Sequence, residues 1–493
     1  MSAPDAVDPT LHHPESRLTG VRRSTSQAFR LISGMVIAAL LIYAPFAMGS
    51  TQPWAIATLN LGVTVATGCW IISRVLYRSD DSRRRSNLWL IVLLSVVGLC
   101  CGWFMVYNAS HLFSYTTGYP MGIVQQYPRL PGAWEKRVAM QAMVRMDGLF
   151  GAFIVALDLA REPAWRRRWI STIVWTGASI ALLGVAQRSG MVTFIASRMS
   201  DMEGTYFSTF NYHANAGAYM NLGLALAGPL CLYRFRGGRP TIEKIWSTLL
   251  LAAIMIGVLD NTSRGAQAVS ALIVAIFSLV GIVRWRADRE RTGRRRRHWL
   301  IPCTVLLILF LFVGLGMRSA TNVRRWRNLP ADIATNSSRW QMWHVTRPMV
   351  RTAGWMGHGP GSFKMLLPVS PDLTVALYSR WIVQQHIPGM TISMWSMAHN
   401  DYLQTMVEYG WLGAIIFGTI VFGGLLCAVL RVAGKLRLSD NLDGCLLLGA
   451  STAVFGTLLH ATVDFPMQVA SVQITLAVLV GICWSSCRWS PRT

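Results

Sequence analysis

The sequence has few charged residues, and acidic residues are especially scarce. Asp, Glu, Lys and Arg make up 14% of the 493 residues, whereas hydrophobic residues make up 53%. Only 22 acidic residues stand against 46 Lys and Arg, which gives a formal net charge of +24. A soluble domain usually carries about 25% charged residues, so this composition excludes an ordinary soluble protein. It indicates an integral membrane protein.

The sequence also lacks the motifs that identify several large enzyme classes. It has no Walker motif, dinucleotide-binding fingerprint, HExxH sequence or paired-cysteine metal pattern. The nine cysteines fall almost entirely within apolar segments, and the long polar segment before residue 399 contains none. We therefore expect neither a disulfide framework nor a zinc site, and no cofactor.

Long apolar runs recur along the chain, and each is near the length that crosses ~30 Å of hydrocarbon as a helix. The sequence therefore predicts an all-α integral membrane protein with about twelve transmembrane helices. The predicted spans are residues 31–50, 53–73, 88–107, 146–160, 169–187, 214–233, 245–260, 267–283, 299–317, 411–430, 444–463 and 467–486.

Basic residues concentrate in alternate loops, such as 83–85, 166–168 and 294–297. By the positive-inside rule, these loops and both termini are cytoplasmic. The net charge is thus a topology signal, and nucleic acid is not an expected partner. The predicted organisation is a disordered cytoplasmic tail over 1–29, spans one to nine over 30–317, a periplasmic loop over 318–408, spans ten to twelve over 409–487 and a short cytoplasmic tail over 488–493.

The segment that enters the tenth predicted span carries polar side chains directly into an apolar run. In a continuous helix, Gly410 would lie within about 20° of His399, and Gly413 within about 40°. The imidazole would then lie on the same helix face as two glycines, which have no side chain.

Two carboxylates in the same segment allow a second interpretation. Asp401 and Glu408 would share the opposite face of a continuous helix, which makes them poor partners for His399. Asp401 followed by Gln404 also fits a capping box. In that case the helix begins at this point, and His399 lies on the entering loop.

Arg264 is the basic residue of the short turn between the seventh and eighth spans, in the sequence Asp260-Asn261-Thr262-Ser263-Arg264-Gly265. A charge at this depth needs a partner. Asp260 is one candidate. The oxygens of a bound diphosphate are another, because a planar guanidinium suits phosphate.

Two further outer segments are rich in aromatic and amide groups. The stretch Glu203–Gly217 suggests a polar pocket, such as one for sugar, with Asn211 and His213 in either structural or binding roles. The segment 108–145 is either a plain surface loop or a lid over the membrane face.

The long loop carries nine basic residues against four acidic ones, which makes it attractive to anions. Its part 338–350, which includes Arg339, is amphipathic and predicts a helix along the membrane surface. The following stretch 354–363 is rich in glycine. It is either a tight turn or a cradle in which backbone amides around Gly359 and Gly361 bind an oxyanion.

Near the outer end of the eleventh span, His460 precedes Asp464 by one helical turn. This spacing predicts a hydrogen bond between the two side chains.

Together, an outward-facing histidine, an arginine in the same layer and a basic loop fit the transfer of a glycan from a lipid-linked diphosphate. Diphosphate leaves as a stable anion, so arginines that neutralise its charge can replace a metal. The acceptor hydroxyl still needs a base, which a neutral histidine provides near neutral pH.

The motifs resemble those of the O-antigen ligase and polymerase-like membrane family. The signature is His399-Asn400, nine intervening residues and Gly410-Trp411-Leu412-Gly413. Further matches are Ser263-Arg264-Gly265, Gly204-Thr205-Tyr206 leading to Asn211 and His213, Gly357-His358-Gly359-Pro360-Gly361-Ser362-Phe363, and the segment from His460 to Pro466.

The resemblance implies a metal-independent glycosyltransferase of the bacterial inner membrane, which moves a glycan from undecaprenyl diphosphate to a glycan or lipid acceptor on the periplasmic face. His399 would be the essential histidine and Arg264 a diphosphate-binding arginine. The family's second arginine precedes the Gly-Thr-aromatic segment, where this chain has Glu203. The candidates for its role are Arg198, Arg339 and Arg188. Further substrate-binding candidates in the matching motifs are Asn400, Gly359 and Gly361.

The acceptor is left open by the sequence. A ligase would use lipid A core, an O-antigen or exopolysaccharide polymerase would use another lipid-linked repeat, and a protein glycosyltransferase would use serine or threonine. We rank the ligase first. A polytopic transporter or lipid flippase is the alternative from another class, although the two repeated halves common in carriers are not visible.

Overall fold

The computed structural model describes residues 14–76, 89–114, 120–192, 206–235, 239–292, 320–334, 338–367, 397–433 and 441–489. Its helices are α1 (Pro14–Phe46), α2 (Pro53–Leu76), α3 (Trp89–Tyr107), α4 (Lys136–Leu159), α5 (Pro163–Arg188), α6 (His213–Arg234), α7 (Thr241–Asp260), α8 (Arg264–Thr292), α9 (Ala320–Arg327), α10 (Leu329–Ala334), α11 (Ser338–Ala353), α12 (Phe363–Leu366), α13 (Asp401–Ala433), α14 (Leu442–His460) and α15 (Ala470–Ser485). A two-stranded antiparallel sheet joins β1 (His111–Phe113) to β2 (Pro120–Gly122).

The prediction of an all-α membrane protein is confirmed. In the described part of the chain, ten helices are long and apolar enough to cross a membrane. They are α1 to α3, α5 to α8 and α13 to α15. The fourth predicted span, residues 146–160, coincides with the second half of α4 and its C-cap, and α4 is not one of the ten. The ninth, residues 299–317, lies outside the described residues.

The N-terminal segment differs from the prediction. Helix α1 begins at Pro14, so the tail that we expected to be disordered over 1–29 is helical from this residue onward. The polar sequence here lacks an apolar period, but it continues directly into the first apolar span. A helix that is already formed in the span propagates at little cost into such a segment.

Small residues allow the central helices to approach closely. A Cβ atom added to Gly223 of α6 would lie 3.5 Å from the Cα atom of Gly177 in α5. One added to Gly449 of α14 would lie 3.2 Å from the Cα atom of Leu226 in α6. Such contacts are typical of membrane helices, which associate by close backbone packing. Helices α6, α14 and α15 accordingly form the buried centre of the bundle.

The sheet and helices α9 to α12 lie on one side of the bundle, which we call the loop side. The segment after β2 packs on the glycine-rich turn of residues 354–362. The Trp134 amide donates to the His358 carbonyl at 2.9 Å, and Gly359 packs against Ala133. Residues 133 and 134 of the segment 108–145 therefore pack on this turn.

Candidate active site

His399 lies on the loop that enters α13, and the helix itself begins at Asp401. The histidine has a φ angle of 50°, which is unusual for a residue with a side chain. Its carbonyl accepts a hydrogen bond from Trp343 Nε1 of α11 at 3.1 Å. The alternative in which the helix starts here is confirmed, and the continuous helix from His399 to Gly413 is wrong. Gly410 has a non-helical conformation within α13, which also breaks the expected alignment.

Asn400 provides the helix cap. Its Oδ1 atom accepts a hydrogen bond from the Leu403 amide at 3.1 Å, and its Nδ2 atom donates to the Thr462 carbonyl at 3.0 Å. The predicted box of Asp401 and Gln404 is therefore displaced by one residue, because the capping oxygen belongs to Asn400. These bonds fix the start of α13 to the turn that follows α14. They give Asn400 a structural task next to His399.

Asp464, in the turn after α14, connects the charged groups of the site. Its Oδ1 atom lies 3.2 Å from His399 Nδ1, and its Oδ2 atom lies 2.8 Å from Arg339 Nη2. Histidine and carboxylate are both buried. We call Tyr212, Arg339, His399 and Asp464 the Asp464 cluster.

The electrostatics of the cluster keep Asp464 ionised. Burial alone would raise its pKa, but Arg339 and the hydrogen bond from His399 outweigh burial and hold the pKa well below its usual range. The nearby carboxylate in turn raises the pKa of Arg339. An ionised carboxylate at Nδ1 favours the histidine tautomer that carries its proton there. Nε2 is then the basic nitrogen of His399.

Tyr212 completes the cluster from the start of α6. Its hydroxyl lies 3.5 Å from Asp464 Oδ2 and 3.4 Å from Arg339 Nη2. Its ring is stacked on Phe465 at a centroid distance of 5.5 Å, and His399 meets the same phenylalanine at 4.9 Å in an edge-on arrangement. Burial, together with Asp464, raises the pKa of Tyr212 to about 12. The hydroxyl therefore keeps its proton and can donate it in a hydrogen bond.

Arg264 is the first residue of α8, and Ser263 caps this helix by accepting the Ala266 amide at its Oγ atom. The Nη1 atom of Arg264 donates to the carbonyl of Arg325 in α9 at 2.9 Å. The carboxylate of Asp260 lies 4.0 Å from Arg188. That carboxylate, one candidate partner for Arg264, thus lies near another arginine.

His460 lies between the first turn of α8 and the Asp464 cluster. A Cβ atom placed on Gly265 would lie 3.2 Å from His460 Nε2. The Asp464 amide donates to the His460 carbonyl at 3.1 Å. The first turn of α8, the end of α14 and the Asp464 cluster therefore meet in one place on the loop side. The arginine at 264 and the histidine at 399 both belong to elements of this junction.

The hydrogen bond predicted between His460 and Asp464 is wrong. Neither ring nitrogen of His460 has a hydrogen-bond partner within the part of the chain that the structure describes. The carboxylate points instead to His399 and Arg339. The one-turn spacing gave a local partner, whereas the fold offers two long-range partners, one of them a cation.

Of the two interpretations of the glycine-rich stretch, the structure favours the tight turn over the oxyanion cradle. The amides of His358 and Gly359 donate to the carbonyls of Val407 and Glu408, and the Gly361 amide donates to the Glu408 carboxylate. Gly357 and Gly410 lie back to back, so that a Cβ atom on Gly357 would be 2.6 Å from the Gly410 nitrogen. The turn is a packing element that holds the kink of α13. The amides of Gly359 and Gly361 thus already have acceptors within the protein, and their assignment to substrate binding stays a prediction.

The remaining candidates are spread around the site. His213 begins α6, its ring packs beside Tyr212, and its carbonyl accepts a hydrogen bond from Asn261 at 2.8 Å. Asn211 has a buried Oδ1 atom without a hydrogen-bond partner among the described residues. Arg198 lies outside the described residues. Tyr212 and Asp464 are the members of the cluster that we did not single out as site residues.

An apolar cavity of about 270 Å³ lies beside the start of α13. Helices α3, α4, α13 and α15 provide its walls. The lining includes Gly98, Phe150, Phe153, Phe417, Gly418 and Val480, with Arg145, Glu408 and Gln468 as polar groups. Tyr402 and Met467 also line it, and Asp401 accepts a hydrogen bond from the Met467 amide. The cavity is thus adjacent to the helix start that follows His399.

Comparison with known proteins gives one family. Residues 248–418 match the family model described as O-antigen ligase. This match confirms the resemblance drawn from the motifs, and it includes Arg264, Arg339 and His399 but ends before Asp464. No curated protein matches the chain. Together with the apolar helices, the match indicates a bacterial membrane protein with an O-antigen ligase or polymerase type of function.

Proposed function

We propose that this chain, whose residues 248–418 match the O-antigen ligase family, transfers a glycan from undecaprenyl diphosphate to an acceptor hydroxyl on the periplasmic face of the inner membrane. The loop side of the bundle then faces the periplasm, and the two termini are cytoplasmic. The reaction is of the ligase type, with lipid A core as the acceptor.

The observation that carries this proposal is the contact between His399 Nδ1 and Asp464 Oδ1 at 3.2 Å. A buried carboxylate that orients an imidazole is a recurring arrangement for a general base. It fixes the tautomer and stabilises the imidazolium that forms when the base takes up a proton. Arg339 lies on the other oxygen of the same carboxylate and supplies a positive charge beside the base.

These groups account for the proton and for the electron pair that move during the transfer. His399 Nε2 takes the proton of the acceptor hydroxyl while the oxygen attacks the anomeric carbon of the donor sugar. The bond between that carbon and the diphosphate oxygen breaks, and its electron pair stays on the leaving diphosphate. Arg264 and Arg339 stabilise the negative charge on this leaving group. Tyr212 holds Arg339 and Asp464 in place through its hydroxyl.

The apolar cavity supports a lipid-linked substrate. It lies between membrane-spanning helices and is lined mainly by carbon atoms. A hydrocarbon chain in this position would bring a head group to the start of α13, one residue beyond Asn400. We assign the cavity to the chain of the lipid-linked donor.

The test is release of undecaprenyl diphosphate by purified protein in lipid nanodiscs, supplied with a glycan-linked donor and lipid A core. We expect release with the wild type and a loss of about 10²–10⁴-fold in the rate for His399→Ala, with unchanged thermal unfolding. His344→Ala, on α11, is the matched control and should retain the rate. Glycan movement across the membrane without release of diphosphate would contradict the proposal and favour a carrier.

A second arm of the same assay tests the acceptor. Lipid A core is replaced by another molecule of the lipid-linked repeat, and product length is measured. Transfer to lipid A core supports the ligase. Transfer that occurs only with the lipid-linked repeat would identify a polymerase and overturn the ligase assignment.

A further inference from the structure

His460, the last residue of α14, is a buried histidine that the proposed transfer does not use. It is 1% exposed. Neither Nδ1 nor Nε2 has a hydrogen-bond partner in the described ranges of the chain. Buried polar side-chain atoms almost always have one. A buried imidazole whose two nitrogens both lack a hydrogen-bond partner among the described residues requires an explanation beyond packing.

The ring points at the beginning of α8. The contact is so close that a Cβ atom on Gly265 would lie 3.2 Å from Nε2, so a larger residue at 265 would have to displace the histidine. The first turn of a helix presents amide N–H groups and the positive end of the helix dipole, which favours anions. A ring nitrogen that can donate adds a further group of the same kind. Arg264 starts this same helix.

The surroundings also favour an anion over a cation. Within the described cluster, the carboxylate of Asp464 is already bonded to His399 and Arg339. The groups that meet between α8 and α14 are therefore the N-terminus of α8, which begins with Arg264, and the imidazole of His460. Each of them can donate a hydrogen bond to a phosphate oxygen.

We propose that His460 binds the diphosphate group of the donor, donating a hydrogen bond from Nε2 to a phosphate oxygen at the N-terminus of α8. This inference rests on the proposed function and adds a residue to its leaving-group site. During transfer, the electron pair of the broken bond between sugar and oxygen passes to the diphosphate, and His460 stabilises that charge. The acceptor proton goes to His399, so the two histidines have separate tasks.

The experiment measures binding of inorganic diphosphate to the purified, detergent-solubilised protein by calorimetry. Three variants separate the ring nitrogens. The side-chain amide nitrogen of His460→Gln can occupy the position of Nε2, that of His460→Asn can occupy only the position of Nδ1, and His460→Leu keeps neither. We expect Kd to rise about tenfold or more in the Asn and Leu variants and less than about threefold in the Gln variant.

The control is His358→Gln. His358 Nε2 lies 3.1 Å from Thr352 Oγ1 and 3.3 Å from the Met349 carbonyl, in the glycine-rich turn. This variant should bind diphosphate like the wild type. Thermal unfolding identifies any variant that fails to fold. If the Leu variant does not fold, the comparison of Asn with Gln decides.

Equal affinities in the wild type, Asn, Gln and Leu proteins would overturn the inference. Because binding is measured without turnover, its failure is distinct from that of the proposed function. Diphosphate that binds through His460 in a protein without transfer activity would refute only the proposed function. Normal transfer, with diphosphate affinity unchanged in His460→Leu, would refute only the role of His460.

Discussion

The start of α13 and its kink at Gly410 are two neighbouring regions of the loop side, and they are built from different parts of the chain's chemistry: side chains at the start and backbone atoms at the kink. At the beginning of α13, side chains from distant parts of the sequence bring charges together around Asp464. At its kink, the glycine-rich turn brings backbone atoms together, and Gly357 packs against Glu408 and Gly410. Both regions lie in motifs that resemble the family's. The start of α13 collects charged side chains, whereas the kink has room only for backbone atoms.

The glycine-rich turn holds α13 in place next to the Asp464 cluster. The glycine-rich turn uses its amides on Val407 and Glu408, which lie eight and nine residues after His399. These amides therefore have no hydrogen left to donate to a substrate, but they hold the helix that follows the loop of His399. A functional group on a loop gains precision from a rigid neighbour.

The largest expected effect concerns the Asp464 cluster. Arg339→Gln removes the cation from Asp464 Oδ2, which lies 2.8 Å away, and from the leaving group. We expect a loss of about 10²–10³-fold in kcat, the range for removal of one group that stabilises developing charge. Arg339→Lys, which keeps the charge but not the planar fork, should recover part of it. Undecaprenyl diphosphate release checks this, and a change in KM alone would contradict it.

The second prediction tests the packing role of the glycine-rich turn. Gly357→Ala places a Cβ atom 2.5 Å from the Glu408 carbonyl group at a φ of 80°. We expect destabilisation by about 3 kcal/mol, from strain and overpacking together. Gly354→Ala is the matched control, because φ is 59° there but no atom lies within 4 Å. It should cost only about 1–2 kcal/mol.

Thermal unfolding of the two glycine variants, with diphosphate affinity measured beside it, separates strain from binding. If the folded Gly357→Ala protein were as stable as the wild type but lost affinity for diphosphate, the turn would be a binding element after all.

The third prediction tests whether the apolar cavity, in contrast to the Asp464 cluster, affects binding of the donor's lipid chain and not the rate of transfer. Gly418→Phe places a ring in the cavity, where the nearest atom to a new Cβ is 3.9 Å away. We expect KM for a long-chain donor to rise about tenfold, the equivalent of about 1.4 kcal/mol, with little change in kcat. A donor with a short isoprenoid chain should be unaffected. Gly68→Phe on α2, where a Cβ meets nothing within 4 Å, is the control. An equal loss for both donors would place the chain elsewhere.

The smallest effect concerns pH. Burial lowers the pKa of His358, and its bond to the Met349 carbonyl opposes this only in part. The unfolded chain therefore binds a proton more readily than the folded one. As the pH falls through the ordinary histidine pKa of about 6.5, the folded state loses stability. We expect the wild type to lose about 1 °C more in Tm between pH 8 and 5.5 than His358→Gln. A larger loss in the variant would contradict this sign.

The sequence predicted ten of its twelve spans at the helices that are long and apolar enough to cross a membrane, because each apolar run must satisfy its own backbone there. It also predicted that His399 and Arg264 act at one site, with Arg339 as one candidate for a second arginine, because charges in this layer are costly and have few places to lie; this stays a prediction. What it could not predict is the pairing of His399 with Asp464, which lies on another helix end. Asp464 had an apparent local partner in His460, one turn away, so the spacing pointed to the wrong histidine.

The two interpretations of the glycine-rich turn could not be separated from sequence for a related reason. Glycines with amides free to bind a ligand and glycines packed against another backbone have the same sequence pattern. The difference depends on whether a neighbouring chain occupies the space, which here is the kinked part of α13. The helix cap is Asn400 and not Asp401, a displacement by one residue that is within the usual uncertainty of a helix start.

The most direct test of the account is a double-mutant cycle on kcat with His399→Ala and Asp464→Asn. If the carboxylate acts through the imidazole, each single variant loses turnover, and the double variant loses no more than His399→Ala alone, to within about threefold. Additive losses, with the double variant slower by the product of the two single effects, would show that Asp464 and His399 act separately and would contradict the account.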